Sequence, residues 1–346
     1  MPLSSGSQRV TIADVAQKAG VSIATVSRVL NGTSKVAETT AERVRVAIAE
    51  LHYVPRAAAR GLASRRTNTI GLLLPEISGQ FFPPLLRGIE AAARENGYHL
   101  LIYSTWDRRY LLDLPYPPLG EHNTDGLLVF TDSLRDEDLA HFHRIGFPVV
   151  LLYRSPPQSL PIPCITFENK AGARALVDHL IEVHGYRRIA FLSGPPGNED
   201  SFWRELGYRE SLEAHGLPYD PSLVAVGGFD EEEAAAAMAR WLAEGLNADA
   251  IFAGDDEAAS GAIAALQQVG LRVPDDVAVV GFDDLVISRH LNPPLTTVCV
   301  PIEQTGRVAV EQLIRLIRTG TADPLVLLPT QLVIRRSCGC MPCQQL

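Results

Sequence analysis

Residues 10–31 constrain the fold of this chain more than any other stretch. Thr11 and Asp14 are three residues apart, a spacing that predicts a capped helix start, and Gly20 permits the left-handed backbone that ends a helix. Ser22 caps a second predicted helix, whose apolar face is formed by Val26, Val29 and Leu30. Two short helices joined by a tight turn form a helix-turn-helix, whose second helix enters the DNA major groove. A small helical hairpin without a DNA role is the alternative.

The segments that follow extend this helical unit. Residues 36–51 predict a third helix, with Val44, Ala47, Ile48 and Leu51 packing against the first two helices. Pro55 ends it. Residues 56–63 form a short alanine-rich stretch, too short to be a stable helix alone in water.

The charge of the chain is divided unequally between its parts. Residues 1–66 contain ten basic and four acidic side chains, a net charge of +6, whereas the remainder contains 21 basic and 36 acidic ones. The whole chain therefore carries a net charge of −9. A basic N-terminal part on an acidic remainder is expected when a DNA-contacting module is joined to a separate domain.

Residues 11–31 resemble the DNA-binding domain of the lactose-repressor (LacI/GalR) family. They match almost completely its pattern T-I-x-D-V-A-x-x-A-G-V-S-x-x-T-V-S-R-V-L-N, and the resemblance continues through residues 36–44 and 50–55. It implies that the second helix reads bases through Ile23, Ala24 and Arg28. Small or apolar side chains suit thymine methyl groups, and an arginine can donate two hydrogen bonds to guanine. The resemblance also implies phosphate contacts from Thr11, Ser22, Thr25, Ser27 and Asn31; for Thr25 and Ser27 the alternative is an ordinary helix surface.

The same resemblance assigns a role to the segment between the domains. Residues 1–55 would be the DNA-binding domain, and residues 56–68 a hinge helix and linker that orders on operator DNA. Leu62 stands at the position of the family's minor-groove wedge, a side chain that unstacks a base step and bends the duplex. A plain linker is the alternative.

From residue 69 the sequence alternates between strand-like and helix-like segments. Strands are predicted at 70–74, 98–103, 126–130, 149–153, 188–192, 223–226, 250–253 and 277–281. Helices are predicted at 82–96, 169–184, 204–215, 231–244 and 256–269. This alternation predicts parallel sheets covered by helices, and the length favours two α/β lobes.

Residues 69–337 also resemble the body of the family, through segments such as 184–187, 270–277 and 280–284. The resemblance implies two doubly wound parallel-sheet lobes, similar to a periplasmic sugar-binding protein, with a ligand cleft between them. The chain would cross between lobes near residues 167, 298 and 323. Lobe N would then comprise 69–166 and 299–323, and lobe C 167–298 and 324–337.

Five positions of the family's effector cleft carry over to this chain. Arg204 would grip the effector, Asp255 and Asp283 would accept hydrogen bonds from sugar hydroxyls, and Phe82 and Phe229 would stack on a sugar ring. Each carboxylate has the alternative of being a helix cap or a solvated strand end, and Phe82 that of belonging to the core.

Residues 106–124 depart from the family pattern, and the C-terminal cysteines need a separate interpretation. Prolines 115, 117 and 118 predict that residues 106–124 form an irregular loop, where relatives have a helix. Cys338, Cys340 and Cys343 are crowded as metal ligands are, but with three sulfurs and no histidine beside them in sequence they predict an unstructured tail, residues 338–346, and no metal site. No phosphate-binding loop, nucleophile elbow or zinc-protease motif is present, so we expect neither an enzyme nor a cofactor.

These observations favour a ligand-controlled transcriptional regulator, most simply a repressor. It would bind a pseudo-palindromic operator as a homodimer and respond allosterically to a sugar or related metabolite. The absence of an apolar run of about 18 residues and of a signal-peptide pattern predicts a cytoplasmic protein without a membrane partner. The alternative is a cytoplasmic solute-binding receptor with no direct DNA role.

Overall fold

Three helices lie in the described part of the N-terminal unit: α1 (Ile12–Ala19), α2 (Ile23–Asn31) and α3 (Glu38–Glu50). The computed structural model describes residues 10–31, 35–53, 66–105, 116–157 and 160–341. The chain divides into two units, Met1–Asn68 and Thr69–Leu346. The predicted wedge residue Leu62 and most of the predicted hinge lie outside the described residues.

The start and end of α1 follow from its sequence. The Thr11 side chain accepts the Asp14 backbone N–H while Asp14 accepts the Thr11 backbone N–H, which completes a capping box. Gly20 ends the helix with a φ of 63°. The guanidinium of Arg43, on α3, donates from Nε and Nη2 to the Ala19 carbonyl at 3.2 and 2.6 Å. The third helix thereby satisfies a carbonyl that the end of α1 leaves without an intrahelical partner.

The second unit contains two parallel sheets and a small antiparallel pair. The six-stranded sheet has the order β11-β5-β4-β3-β1-β2, the four-stranded sheet the order β7-β6-β8-β9, and β10 pairs antiparallel with β12. The strands are β1 (Thr69–Leu74), β2 (His99–Ser104), β3 (Gly126–Phe130), β4 (Val149–Leu152), β5 (Cys164–Phe167), β6 (Ile189–Ser193), β7 (Val224–Val226), β8 (Ala250–Ala253), β9 (Ala278–Val280), β10 (Thr297–Cys299), β11 (Leu325–Leu328) and β12 (Gln331–Val333).

Among the described residues of this unit, seven α-helices connect and cover these strands. They are α4 (Phe82–Glu95), α5 (Asp136–Arg144), α6 (Asn169–His184), α7 (Glu199–Ala214), α8 (Glu231–Ala243), α9 (Asp256–Gln268) and α10 (Ile302–Thr319). Residues 116–124 form bends and turns, and residues 106–115 lie outside the described residues. Within the described part of the chain, no helix combines the length and apolarity needed to cross a membrane.

The six-stranded sheet and the four-stranded sheet define two lobes, N and C. The chain passes from β5 in lobe N to α6, and from β10 towards α10, close to the predicted crossings at 167 and 298. The third crossing differs from the expectation near residue 323. Strand β11 pairs in parallel with β5, from Leu325 opposite Cys164 to Leu328 opposite Phe167, so the chain leaves lobe N only at residues 329–330. An edge strand of four residues carries too weak a pattern to have been assigned to a sheet from sequence.

The C-terminal segment also differs from the expectation of an unstructured tail. Ser337 and Cys338 are fully buried. The Ser337 carbonyl accepts the Val279 N–H at 3.1 Å, and its hydroxyl oxygen accepts the Thr296 N–H at 2.8 Å. The prediction of a tail beginning at residue 338 is therefore wrong for residues 338–341. Cys338 is buried, and the residue before it is bonded through its carbonyl to β9 and through its hydroxyl to Thr296, which precedes β10.

Two glycines allow helices α4 and α10 to approach closely in lobe N. A Cβ at Gly88 would lie 2.0 Å from the Glu303 carbonyl oxygen, and one at Gly306 would lie 2.5 Å from the Leu85 carbonyl oxygen. Neither neighbour is a flexible side chain, so any larger residue must push the helices apart.

We predict that Gly88→Ala lowers the free energy of unfolding by about 1–3 kcal/mol, the usual cost of overpacking a core. Urea denaturation followed by circular dichroism measures this loss. Glu90→Ala, on the exposed side of the same helix, is the matched control and should change stability by less than about 0.5 kcal/mol. Equal stability of the Gly88→Ala variant and the wild type would contradict the close approach.

Candidate nucleic-acid interface and effector cleft

Helix α2 presents the three predicted base-contacting residues on its exposed side. The side chain of Ile23 is 51% exposed, and Ala24 and Arg28 are exposed as well. Val26, on the opposite side, is fully buried in a core shared with α1 and α3. Within the described ranges, Arg28 makes no hydrogen bond or ion pair. The packing of Val26 therefore fixes which side of α2 faces outward, and Arg28 extends from that side.

Three of the five predicted phosphate-contacting residues, Thr11, Ser22 and Thr25, form hydrogen bonds at the helix starts. The Thr11 hydroxyl donates to Asp14 at 2.8 Å as part of the capping box. Ser22 accepts the Thr25 backbone N–H at 3.2 Å, and the two hydroxyls share a hydrogen bond of 2.9 Å. Ser27 is half-buried. Asn31 is the last residue of α2, and its side chain lies outside the described residues.

In the second unit, a buried arginine lies at the carboxyl ends of the lobe C strands. Arg204, on α7, is 2% exposed. It donates to the Asn169 side-chain oxygen at 2.9 Å, the Gly254 carbonyl at 2.5 Å and the Asp283 carboxylate at 3.0 Å. Its guanidinium carbon lies 4.0 Å from the centre of the Phe282 ring. In open α/β sheets, ligands bind at the carboxyl ends of strands, which is where this group lies.

Sequence analysis missed two residues of this network. Asn169, the first residue of α6, accepts from Arg204 and donates to Asp200 at 2.7 Å. Both residues are buried. Burial raises the pKa of Asp200 to about 7, although the nearby Arg204 charge opposes this shift. The signal that could have identified Asn169 is its position: it lies at a predicted lobe crossing, two residues after the end of the buried strand β5.

The two predicted cleft carboxylates come together beside Arg204. Asp283 is 5% exposed and follows β9 with a φ of 107°, so it is not the solvated strand end of the alternative interpretation. Burial raises its pKa, and the Arg204 ion pair opposes that effect. Asp255 caps α9 by accepting the Ala258 N–H at 2.8 Å. Burial and the Asp283 charge raise its pKa to about 8.

The two predicted aromatic residues lie in different surroundings. Phe229 has a φ of 59°, and its ring lies against Gly194 and Gly254, where a Cβ would come within 2.3 and 2.9 Å of it. The Arg204 guanidinium is 5.2 Å from the centre of that ring. Phe82 is 7% exposed and packs in lobe N against Phe130, at 5.4 Å between ring centres. The structure thus brings Phe229, but not Phe82, into contact with the Arg204 group.

A tyrosine beside the lobe N aromatic residues has an unsatisfied hydroxyl. Tyr153, directly after β4, is 1% exposed and packs against Phe130 at 5.1 Å between ring centres. Its hydroxyl oxygen is buried and forms no hydrogen bond with any residue that the structure describes. Because buried polar atoms are normally paired, this hydroxyl is a candidate for contact with a ligand.

Two sets of hydrogen bonds join the lobes, and neither was found from the sequence. Gln80 of lobe N donates its backbone N–H to Glu257 at 3.3 Å, and its side chain accepts the Ile287 N–H at 3.2 Å. Ser155 of lobe N donates both its backbone N–H and its hydroxyl to Glu199, each at 2.6 Å. These contacts lie between residues far apart in sequence, so no local pattern could indicate them.

Comparisons with known proteins identify both units. Residues 11–56 match the family of bacterial regulatory proteins described as the lacI family, and residues 177–338 match a periplasmic binding protein-like domain. The transcriptional regulator CelR of Thermobifida fusca is 36% identical over 340 residues, covering 95% of this chain and 98% of CelR.

Two solved structures extend the likeness to the whole fold. The Lac repressor dimer bound to operator and an anti-inducer has a TM-score of 0.79 and 28% identity, covering 96% of this chain and 99% of that chain. The complex of CelR with cellobiose has a TM-score of 0.68 and 33% identity, covering 95% of this chain and all of that chain.

The raised pKa of Asp255 predicts a pH-dependent stability. The pKa of Asp255 is about 8 in the folded state and about 3.9 in the unfolded state, so the folded state binds the proton more tightly. The contribution of this proton to the stability of the folded state is therefore lost as pH rises from about 3.9 to about 8. Asp255→Asn can still accept the Ala258 N–H but carries no charge. We therefore expect the Tm of this variant to increase relative to wild type between about pH 5 and pH 8.

Thermal unfolding monitored by circular dichroism at each pH tests this expectation. Asp230→Asn is the matched control, because Asp230 also caps a helix, accepting the Glu233 N–H at 2.8 Å, but is exposed. A constant Tm difference between Asp255→Asn and wild type across this range would show that Asp255 titrates like an exposed carboxylate.

Proposed function

Because this chain belongs to the LacI family of bacterial regulatory proteins, we propose that it represses transcription from a pseudo-palindromic operator as a homodimer. A small-molecule effector in the cleft between the lobes controls this binding. The chain is a DNA-binding transcriptional regulator and not an enzyme. One observation carries the proposal: Arg28 extends from the exposed side of α2, a helix that Ser22 caps and whose orientation is fixed by the burial of Val26.

The DNA-binding role rests on the exposed side of α2 and on charge. Ile23 and Ala24 are exposed beside Arg28, so small apolar groups and one guanidinium are available for a groove edge. An arginine donating to guanine O6 and N7 is the commonest specific contact in the major groove. The net charge of +6 on residues 1–66 favours association with the phosphate backbone, while the acidic remainder disfavours it.

The effector is a neutral polyhydroxylated molecule such as a sugar. Asp200, Asp255 and Asp283 all lie near a single arginine, which is already paired with Asp283. Burial raises the pKa of each of these carboxyl groups, so this position disfavours a further negative charge. Hydroxyl groups, in contrast, can donate to these carboxylates and accept from Arg204. The apolar face of a sugar ring also suits the Phe229 ring. The binding of cellobiose by the relative CelR supports this class of ligand.

Dimer formation is supported by an apolar edge of lobe N. Strand β2 is the edge strand of the six-stranded sheet, and its Leu101 and Ile102 are 39% and 40% exposed. Exposed apolar side chains on an edge strand indicate a surface that another chain covers. The dimeric state of the Lac repressor on its operator supports the same arrangement here. A regulator of this kind acts where the chromosome is, in the cytoplasm.

We predict that Arg28→Ala lowers operator affinity by about 1–3 kcal/mol while weak, salt-sensitive binding to random DNA remains. Gel-shift titrations with the promoter region of the protein's own gene and with a scrambled duplex measure the ratio of the two affinities. Arg45→Ala is the matched control, since Arg45 is held by Glu38 and Glu42 on α3. An Arg28→Ala variant that discriminates as well as wild type would contradict base reading by Arg28.

We also predict that one sugar from a panel of mono- and disaccharides raises the Tm of the wild type. At 100 times its dissociation constant, a ligand of the folded state adds about 2.7 kcal/mol to stability. Asp283→Asn should lower the affinity for this sugar by about tenfold or more, because the side-chain amide accepts hydrogen bonds from ligand hydroxyls less strongly than the carboxylate does. By reciprocity, the sugar and operator DNA must change each other's affinity by the same factor. Identical sugar affinity in both proteins would exclude Asp283 from the effector site.

A further inference from the structure

Four potential metal ligands converge at the C-terminal end of helix α6. They are His179 and His184 of that helix and Cys338 and Cys340 of the C-terminal segment. One ligand atom from each residue lies within 4.8 Å of the corresponding atoms of the other three. The expectation that no histidine accompanies these cysteines was correct for the neighbouring sequence but wrong for the fold, which brings residues about 160 positions apart together.

Three of the six distances between these atoms match the sulfur–nitrogen edges of a tetrahedral zinc site. The Nε2 atom of His179 lies 3.7 Å from the Cys338 sulfur and 3.6 Å from the Cys340 sulfur, and His184 Nε2 lies 3.4 Å from the Cys340 sulfur. Bond lengths of about 2.3 Å to sulfur and about 2.05 Å to nitrogen, at tetrahedral angles, place a sulfur and a nitrogen about 3.6 Å apart. All three distances fall close to this value without any movement of the backbone.

The surrounding residues hold the ligands in place. Gly339, between the two cysteines, has a φ of 101°, and a Cβ there would lie 3.4 Å from two atoms of the His184 ring and 3.2 Å from the Tyr186 hydroxyl. That hydroxyl donates to the Cys338 carbonyl at 3.2 Å. The Thr296 hydroxyl donates to the Cys338 sulfur at 3.1 Å. Donors of this kind stabilise thiolate ligands and orient them in metal sites.

We propose that His179, His184, Cys338 and Cys340 form a structural Zn²⁺ site, independent of the effector cleft. Two neutral imidazoles and two thiolates complete a closed tetrahedral set, the ligand chemistry that selects zinc. Binding releases the two thiol protons to solvent, and the resulting complex has no net charge, as suits a partly buried position. The metal joins the C-terminal segment to the end of α6 and so fixes this segment to lobe C.

The test uses the full-length protein, stripped with a chelator and titrated with Zn²⁺, and then with Co²⁺ as a spectroscopic probe. We expect one zinc per chain by mass spectrometry of the metal content, a rise in Tm on zinc addition, and the absorption of tetrahedral cobalt with sulfur-to-cobalt charge transfer. Wild-type protein that binds no zinc, or cobalt without the charge-transfer band, would show that the four groups only share thiol–imidazole hydrogen bonds.

Variants identify the ligands. Cys340→Ser and His184→Gln should lose about a hundredfold or more in zinc affinity, since even supporting residues of metal sites contribute about 10–100-fold. Their Tm should no longer respond to the chelator. Cys343→Ser is the matched control and should retain one zinc, because Cys343 is not among the four ligands. Loss of zinc from Cys343→Ser, or its retention by Cys340→Ser, would overturn the proposed ligand set.

Discussion

The second unit depends on the pairing of the buried Arg204 guanidinium with its hydrogen-bond partners. A charge that is 2% exposed must be paired, because an unpaired buried ion is strongly destabilising. Its partners Asn169, Gly254 and Asp283 come from the start of α6, the end of β8 and the segment after β9. Pairing this one charge therefore requires the carboxyl ends of the lobe C elements to meet at a single point. The same requirement brings together the buried polar groups of the proposed effector site.

Helix α6 connects this point with the opposite end of lobe C. Its first residue, Asn169, contacts Arg204, and its last residue, His184, belongs to the proposed zinc site. The two residues are separated by about 22 Å along a helix that rises about 1.5 Å per residue. Leu176, Val177 and Leu180 are fully buried between them, so the helix is held along its length. A metal at one end would therefore restrain the same helix that holds Asn169, a hydrogen-bond partner of Arg204, at the other.

The features that the sequence predicted well are those decided by local chemistry. The capping box of Thr11 and Asp14 and the left-handed Gly20 depend on residues within a few positions of each other. The alternation of strands and helices after residue 69 likewise follows from the local pattern of apolar residues. What it missed depends on long-range pairing. Strand β11 is placed by β5, the segment from Ser337 by Val279 and Thr296, and the proposed metal ligands by a helix about 160 residues earlier. Among the predicted cleft residues, the buried polar ones converge, whereas Phe82, whose apolar character served the core equally well, packs within lobe N.

The contacts between the lobes have a strength suited to a switch. In the described part of the chain, Gln80 and Ser155 make four hydrogen bonds that connect the lobes, and a typical hydrogen bond contributes about 0.5–1.5 kcal/mol net. Together they favour this arrangement by about 2–6 kcal/mol. To move a two-state equilibrium from one extreme to the other, a ligand must bind one state about 5.5 kcal/mol more strongly than the other. Because the two quantities are comparable, the differential binding of an effector is large enough to break or restore these four hydrogen bonds, whereas a larger apolar interface at these positions would resist such a change.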